Sequence, residues 1–159
     1  MTAKVRTCLW YDGKAEAAAS FYVALIPDSR IETRTYFDHA VTGEKDAVLV
    51  VEFTLAGAPY MALDGGPGFT FNEAASISVL THDQAETDRL WRALTADGGQ
   101  ESMCGWLKDR FGLSWQIVPE NLPRRLADRD RAAAGRALKA MLTMRRIDMA
   151  KIEVAFSGG

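Results

Sequence analysis

One order of elements, strand-helix-strand-strand-strand, occurs twice along the chain, and an internal repeat constrains the fold more tightly than any local propensity. In the first copy "VRTCLWY" reads as a strand, and "KAEAAASFYVALI" has helical spacing with Ala18, Phe21, Tyr22 and Leu25 on one face. Pro27 ends that helix, "SRIETRTYF" is a strand, and "FDHAVTGEKDA" is a polar loop. "VLVVEFTLAG" and "PYMALDGG" follow as two strands, with the turn expected at Ala58-Pro59. In the second copy "ASISVLT" alternates cleanly, and Asp83 caps "QAETDRLWRALTA", which Gly98-Gly99 ends. "QESM" and "CGWLKD" read as short strands, and "LSWQIVPE" is the last, closed by Pro119. The copies share a register: Ala15-Glu16 precedes Phe21 as Ala85-Glu86, seventy residues on, precedes Trp91.

A single domain follows, with module one at 1–66, a Gly/Pro-rich linker at 67–74, module two at 75–119 and a helical tail at 120–159. The tail carries helix signals in "LPRRLADRD", "RAAAGRALKAMLTM" and "IDMAKIEVAF". A net charge of −2 gives no positive field for nucleic acid. No apolar run approaches the roughly 18 residues of a membrane span. The first residues lack the signature of a signal peptide, and two cysteines make no secreted disulfide framework. The expectation is a cytoplasmic protein with Cys8 and Cys104 reduced.

Five segments carry a family resemblance: "CLWYDGKAEAAASFY", "VEFTLAG", "ALDGGPGFTFNEA", "CGWLKDRFGLSWQIVP" and "AMLTMRRIDMA". They resemble the PhnB-like branch of the glyoxalase/bleomycin-resistance, or vicinal oxygen chelate, superfamily, many of whose members are labelled 3-demethylubiquinone-9 3-methyltransferase. The resemblance implies an α+β fold of two βαβββ modules forming a curled mixed sheet with a central cavity, helices on the convex faces, and a homodimer.

Within that implied fold, strand alternation assigns side chains to the cavity. Ile77 and Val79 belong under a helix, so Ser76 and Ser78 face the cavity, as do Arg6, Cys8 and Trp10 in the first copy. Val50, Glu52 and Thr54 face inward on their strand. With Met61 and Leu63 taken as packing outward, Tyr60, Ala62 and Asp64 are expected inside. Ser114, Gln116, Val118, Cys104, Trp106 and Lys108 complete the lining, while Lys108-Asp109 marks its rim. Aromatic walls with a few polar groups suit a small ligand, held by Arg6, Trp10, Tyr60, Ser76, Trp106 and Gln116. Arg6 and Glu52 can pair as ions, and Arg6 beside Cys8 offers a way to lower its thiol pKa, although Cys8 as a small buried apolar residue is the favoured reading.

Metal-binding relatives place His, Glu or Gln at four symmetric cavity positions. These correspond here to Arg6 or Val5, Ser76, Gln116, and Ala62 or Asp64. Arginine cannot ligate and serine is a poor donor, so no metal is expected. His39 lies in a loop, and His82 begins a helix. No cofactor is expected either: Asp12-Gly13-Lys14 lacks the Gly-rich turn of nucleotide-binding folds, and the Gly65–Gly68 stretch lacks the Lys-Ser/Thr of a phosphate loop. Three functions remain. One is a metal-independent small-molecule-binding protein or enzyme, with Cys8, Glu52 and Asp64 as candidate catalytic groups. A second is a ligand-sequestering protein of bleomycin-resistance type. The third is the methyltransferase of the family label.

Overall fold

A computed structural model describes residues 3–37 and 47–159. His39 and most of the polar loop lie outside the described residues. The chain divides into two compact units, Met1–Phe71 and Asn72–Gly159.

The first unit contains β1 (Thr7–Tyr11), α1 (Ala15–Leu25), β2 (Arg30–Phe37), β3 (Ala47–Leu55) and β4 (Ala58–Asp64). Its sheet has the order β1-β4-β3-β2, with β1 and β4 parallel and the other pairs antiparallel. Alanine lets α1 lie close to this sheet: Ala15, Ala18 and Ala19 are fully buried together with Tyr22. Phe21 and Leu25, predicted on the same helical face, are only half-buried. Leu9, Tyr11, Val51, Phe53 and Ala62 meet the helix from the sheet, and the hydroxyls of Tyr11 and Tyr22 hydrogen-bond at 3.2 Å.

The second unit repeats the plan with β5 (Ser76–Thr81), α2 (Gln84–Thr95), β6 (Gln100–Glu101), β7 (Trp106–Lys108) and β8 (Ser114–Pro119). The order β5-β8-β7-β6 reproduces the first sheet, again with its first and last strands parallel. Asp83 accepts from the Glu86 amide at 2.8 Å while Glu86 accepts from the His82 amide at 2.7 Å, a reciprocal box that starts α2. Helices α3 (Leu122–Leu126), α4 (Arg131–Met141) and α5 (Met149–Ser157) form the tail. Leu122, Ala137, Ile147 and Ile152 are its core, with Met141, Met144 and Met149 packed on them beside Val118 of β8. Gln84 ties the tail to α2 by donating to the Ile147 carbonyl and accepting from the Met149 amide, both at 3.0 Å.

Three expectations change. The β3–β4 turn sits at Ala56-Gly57, both with positive φ, and Ala58 and Pro59 already belong to β4. Cys104 lies in a turn with φ 58° rather than in a strand. Its amide donates to the Met144 carbonyl at 2.7 Å, so the tail holds that turn in place. Asp109 is no rim residue: it is buried and accepts from the amides of Phe111 and Leu113 and from the Trp115 indole, at 2.8, 3.1 and 2.8 Å. One carboxylate thus organises the β7–β8 turn and anchors a fully buried tryptophan. Replacing Asp109 by Ala strands those donors, and urea denaturation is expected to show a loss of about 3 kcal/mol. A loss under about 0.5 kcal/mol contradicts this role.

Candidate functional site

Each helix covers one face of its sheet, so the polar residues of interest collect on the opposite, open face. In the second unit the register settles this. Ser76 pairs with Ser114 and Ser78 with Gln116 across β5–β8, while Trp106 pairs with Gln116 and Lys108 with Ser114 across β7–β8. Ser76, Ser78, Ser114, Gln116, Trp106 and Lys108 therefore share the open face, opposite buried Ile77, Leu107, Trp115 and Ile117. Gln116 donates to the Ser76 hydroxyl at 2.9 Å.

A cleft of about 490 Å³ lies at the β6–β7 end of this face. Trp106, Lys108, Ser114, Gln100 and the Glu101–Cys104 segment line it, with Glu73 from the segment that precedes β5. Lys108 Nζ contacts Glu73 Oε1 at 2.6 Å, and this hydrogen bond is the main reason the Glu73 carboxyl lies below its usual pKa. Glu101 is engaged elsewhere, accepting from the Trp91 indole at 2.6 Å. The Ser114 hydroxyl is buried and has no hydrogen-bond partner among the described residues. Sequence reasoning found Trp106, Lys108 and Ser114 by alternation. It missed Leu107 and also Glu73, Gln100, Glu101, Ser102 and Met103, which reach the cleft from a linker, a two-residue strand and the turn after it, where alternation gives no signal.

On the first sheet the open face carries Cys8, Trp10, Glu52, Met61 and Leu63, because Cys8 pairs with Met61, Trp10 with Leu63 and Glu52 with Met61. The β4 assignment is the reverse of the expected one. Tyr60, Ala62 and Asp64 lie on the helix side, where small Ala62 fits beneath α1 and bulky Met61 and Leu63 do not. Tyr60 stacks on buried Phe53 at 5.5 Å, and burial raises its phenol pKa. Asp64 Oδ1 accepts from the Lys14 and Ala15 amides at 2.8 and 2.9 Å, capping α1, whose own cap residue Lys14 supplies no side-chain bond. The hairpin carried the missing signal: a two-residue turn pairs Glu52 with an odd-numbered residue of β4.

Arg6 is a hub. Its guanidinium pairs with Glu32, lies 3.3 Å from Glu52 and donates to the carbonyls of Phe53 and Tyr60 at 3.5 and 3.3 Å. Thr33 donates to the other Glu52 oxygen at 2.9 Å. Glu32 was not foreseen, since it sits at a register shift between Ile31 and Thr33 where alternation breaks. With its charge answered by two carboxylates, Arg6 does not activate Cys8; partial burial raises that thiol's pKa instead. Trp10 donates to the Gly66 carbonyl at 2.8 Å and meets Phe69 edge-on at 5.0 Å. Gly65 lies so close to its ring that a Cβ there would fall 2.2 Å away. Trp10 is thus covered by the chain leaving β4.

At the positions that correspond to the relatives' metal ligands, the side chains have other engagements. Arg6 is cationic and ion-paired, Ala62 has no donor, Asp64 caps a helix, and Gln116 is bonded to Ser76. Among the described residues no three His, Cys, Asp or Glu side chains gather as a metal-binding group.

Residues 3–118 match the family described as 3-demethylubiquinone-9 3-methyltransferase. No match exists among curated proteins. The fold resembles that of a PhnB protein from Bacillus cereus, at 32% identity over 74% of this chain and 99% of that one, with a TM-score of 0.67. A protein from Pseudomonas aeruginosa is similar at 24% identity, 75% and 98% coverage and a TM-score of 0.60. The fosfomycin resistance protein FosX from Listeria monocytogenes shares the fold at 13% identity, 80% and 99% coverage and a TM-score of 0.55.

Two outcomes check the first sheet. Asp64→Ala loses a helix cap and is expected to cost about 1 kcal/mol in urea denaturation. In a Cys104→Ser background, the rate of Cys8 alkylation by iodoacetamide should reach half its plateau above the ordinary thiol range, because partial burial raises the thiol pKa. A midpoint below that range restores Arg6 as an activator.

Proposed function

The chain belongs to the 3-demethylubiquinone-9 3-methyltransferase family, within the glyoxalase/bleomycin-resistance superfamily, and from that premise we propose a metal-independent small-molecule-binding protein whose ligand sits beside Trp106. The observation that carries this reading is the cleft of about 490 Å³, which combines an aromatic wall, a lysine and a buried hydroxyl with no partner among the described residues. That mixture of one apolar surface and a few convergent polar groups is what small-ligand sites are made of.

Binding is favoured over turnover by the state of the three candidate catalytic groups. Glu52 faces Arg6 and accepts from Thr33, Asp64 caps α1, and partial burial raises the Cys8 thiol pKa rather than lowering it. A nucleophile needs an adjacent base or a lowered pKa, and Cys8 has its pKa raised. Methyl transfer, the activity in the family's name, draws no support from the first strand-helix junction: the Lys14 and Ala15 amides, which would greet a cofactor at the start of α1, already bind Asp64. A homodimer in the cytoplasm belongs to the same proposal, supported by exposed Tyr36 and Phe37 on edge strand β2 and by two free cysteines. No described helix is long and apolar enough to cross a membrane.

The neutral fluorescent probe N-phenyl-1-naphthylamine tests the site. Its affinity is expected to fall about tenfold in Trp106→Ala and to be unchanged by EDTA. Metal analysis of the purified protein should give far less than one equivalent, and calorimetry should give no heat with S-adenosylmethionine. Stoichiometric metal whose removal abolishes probe binding overturns the metal-independent reading, and S-adenosylmethionine binding overturns the choice against methyl transfer.

A further inference from the structure

Within the cleft, Lys108, Ser114 and Trp106 occupy adjoining places. Lys108 and Ser114 are cross-strand partners, and Trp106 lies two residues before Lys108 on the same face of β7. Two residues along a strand span about 7 Å, so a group held at Lys108 lies one ring's reach from the indole. We propose that this corner is an anion subsite for an aryl or otherwise apolar-stemmed carboxylate, the carboxylate received by Lys108 Nζ and Ser114 Oγ and the apolar stem lying against Trp106. The inference rests on the reading of the cleft as a ligand site and names the class of ligand it takes.

Two independent observations carry it. First, Ser114 is 1% exposed and its hydroxyl has no partner among the described residues, although it lines the cleft. Buried hydroxyls are almost always hydrogen-bonded, so an unpartnered one that borders a cavity points to a ligand acceptor. Second, the counter-ion of Lys108 is a carboxylate that does not belong to the sheet. Glu73 precedes β5 and its side chain is 64% exposed, whereas Lys108 is fixed in β7 and 34% exposed. Glu73 Oε1 at 2.6 Å from Nζ is a resident stand-in: it shows that a carboxylate fits there. An exposed ion pair of this kind is weak and readily exchanged. The other acid of the cleft, Glu101, is turned to the Trp91 indole and to Arg145, at 2.6 and 3.5 Å. It does not compete for Lys108.

The test compares benzoate with benzamide, which has nearly the same shape and no charge, by two-dimensional NMR on the full chain at pH 7 and low salt. Benzoate should move the amide signals of Lys108 and Ser114 and the Trp106 indole signal, with at least about fivefold higher affinity than benzamide. Lys108→Gln should remove that preference. Ser114→Ala should reduce benzoate binding about threefold and leave benzamide unaffected. Glu73→Gln, which removes the stand-in, should strengthen benzoate by about two- to fivefold and leave benzamide unchanged. Equal binding of the two probes overturns the anion subsite while the cleft survives as a ligand site. Weaker benzoate binding in Glu73→Gln also overturns it, since Glu73 would then be a necessary part of the site. If neither probe moves Trp106, the reading of the cleft falls and the subsite with it.

Discussion

The parallel pairing of the first and last strands in each unit, with a helix laid across one face, is the constraint on which everything else depends. Cys8 beside Met61 and Ser78 beside Gln116 fix which side of each sheet is open. A slip of one residue would exchange the two faces and put serine and glutamine under a helix. The buried sets prevent that slip. Leu9, Tyr11, Val51 and Phe53 in one unit, and Ile77, Leu107, Trp115 and Ile117 in the other, have nowhere else to go. Two sheets of the same strand order thus arise from sequences that share few side chains.

The two open faces have diverged in how their polar groups are used. On the first sheet the charges answer one another: Arg6 joins Glu32 and Glu52 and holds two strand carbonyls, while the chain after β4 covers Trp10. These contacts brace the sheet. On the second sheet the polar groups form smaller and looser associations. Gln116 bonds Ser76, Lys108 bonds an exposed carboxylate, and the Ser114 hydroxyl has no partner among the described residues. Thr54 on the first sheet also has a buried hydroxyl with no partner among the described residues, so it is the exchangeable Lys108–Glu73 pair, beside the cleft, that favours the second unit for the proposed site.

Much of this architecture was legible in the sequence. The repeat gave the element order, helix punctuation at Asp83, Pro27 and Gly98 gave the boundaries, and alternation in β5 and β8 gave the open face around Ser76 and Gln116. The failures have physical reasons. In β4 apolar Met61 and Leu63 face the open side, so hydrophobicity pointed the wrong way and only the turn register held the answer. Asp109 looked like an ordinary turn former because nothing in its neighbours announces three donors converging on it. Glu32 and Glu73 act from a register shift and a linker, where no period exists to read. Periodicity describes regular elements, and the candidate site takes part of its lining from irregular ones.

The most direct test of the central claim is a crystal structure of the protein soaked in benzoate. The ring should lie against Trp106 and the carboxylate at Lys108 and Ser114, with the Glu73 side chain displaced. Benzoate bound instead at Arg6 and Cys8 on the first sheet, with the cleft empty, would contradict it.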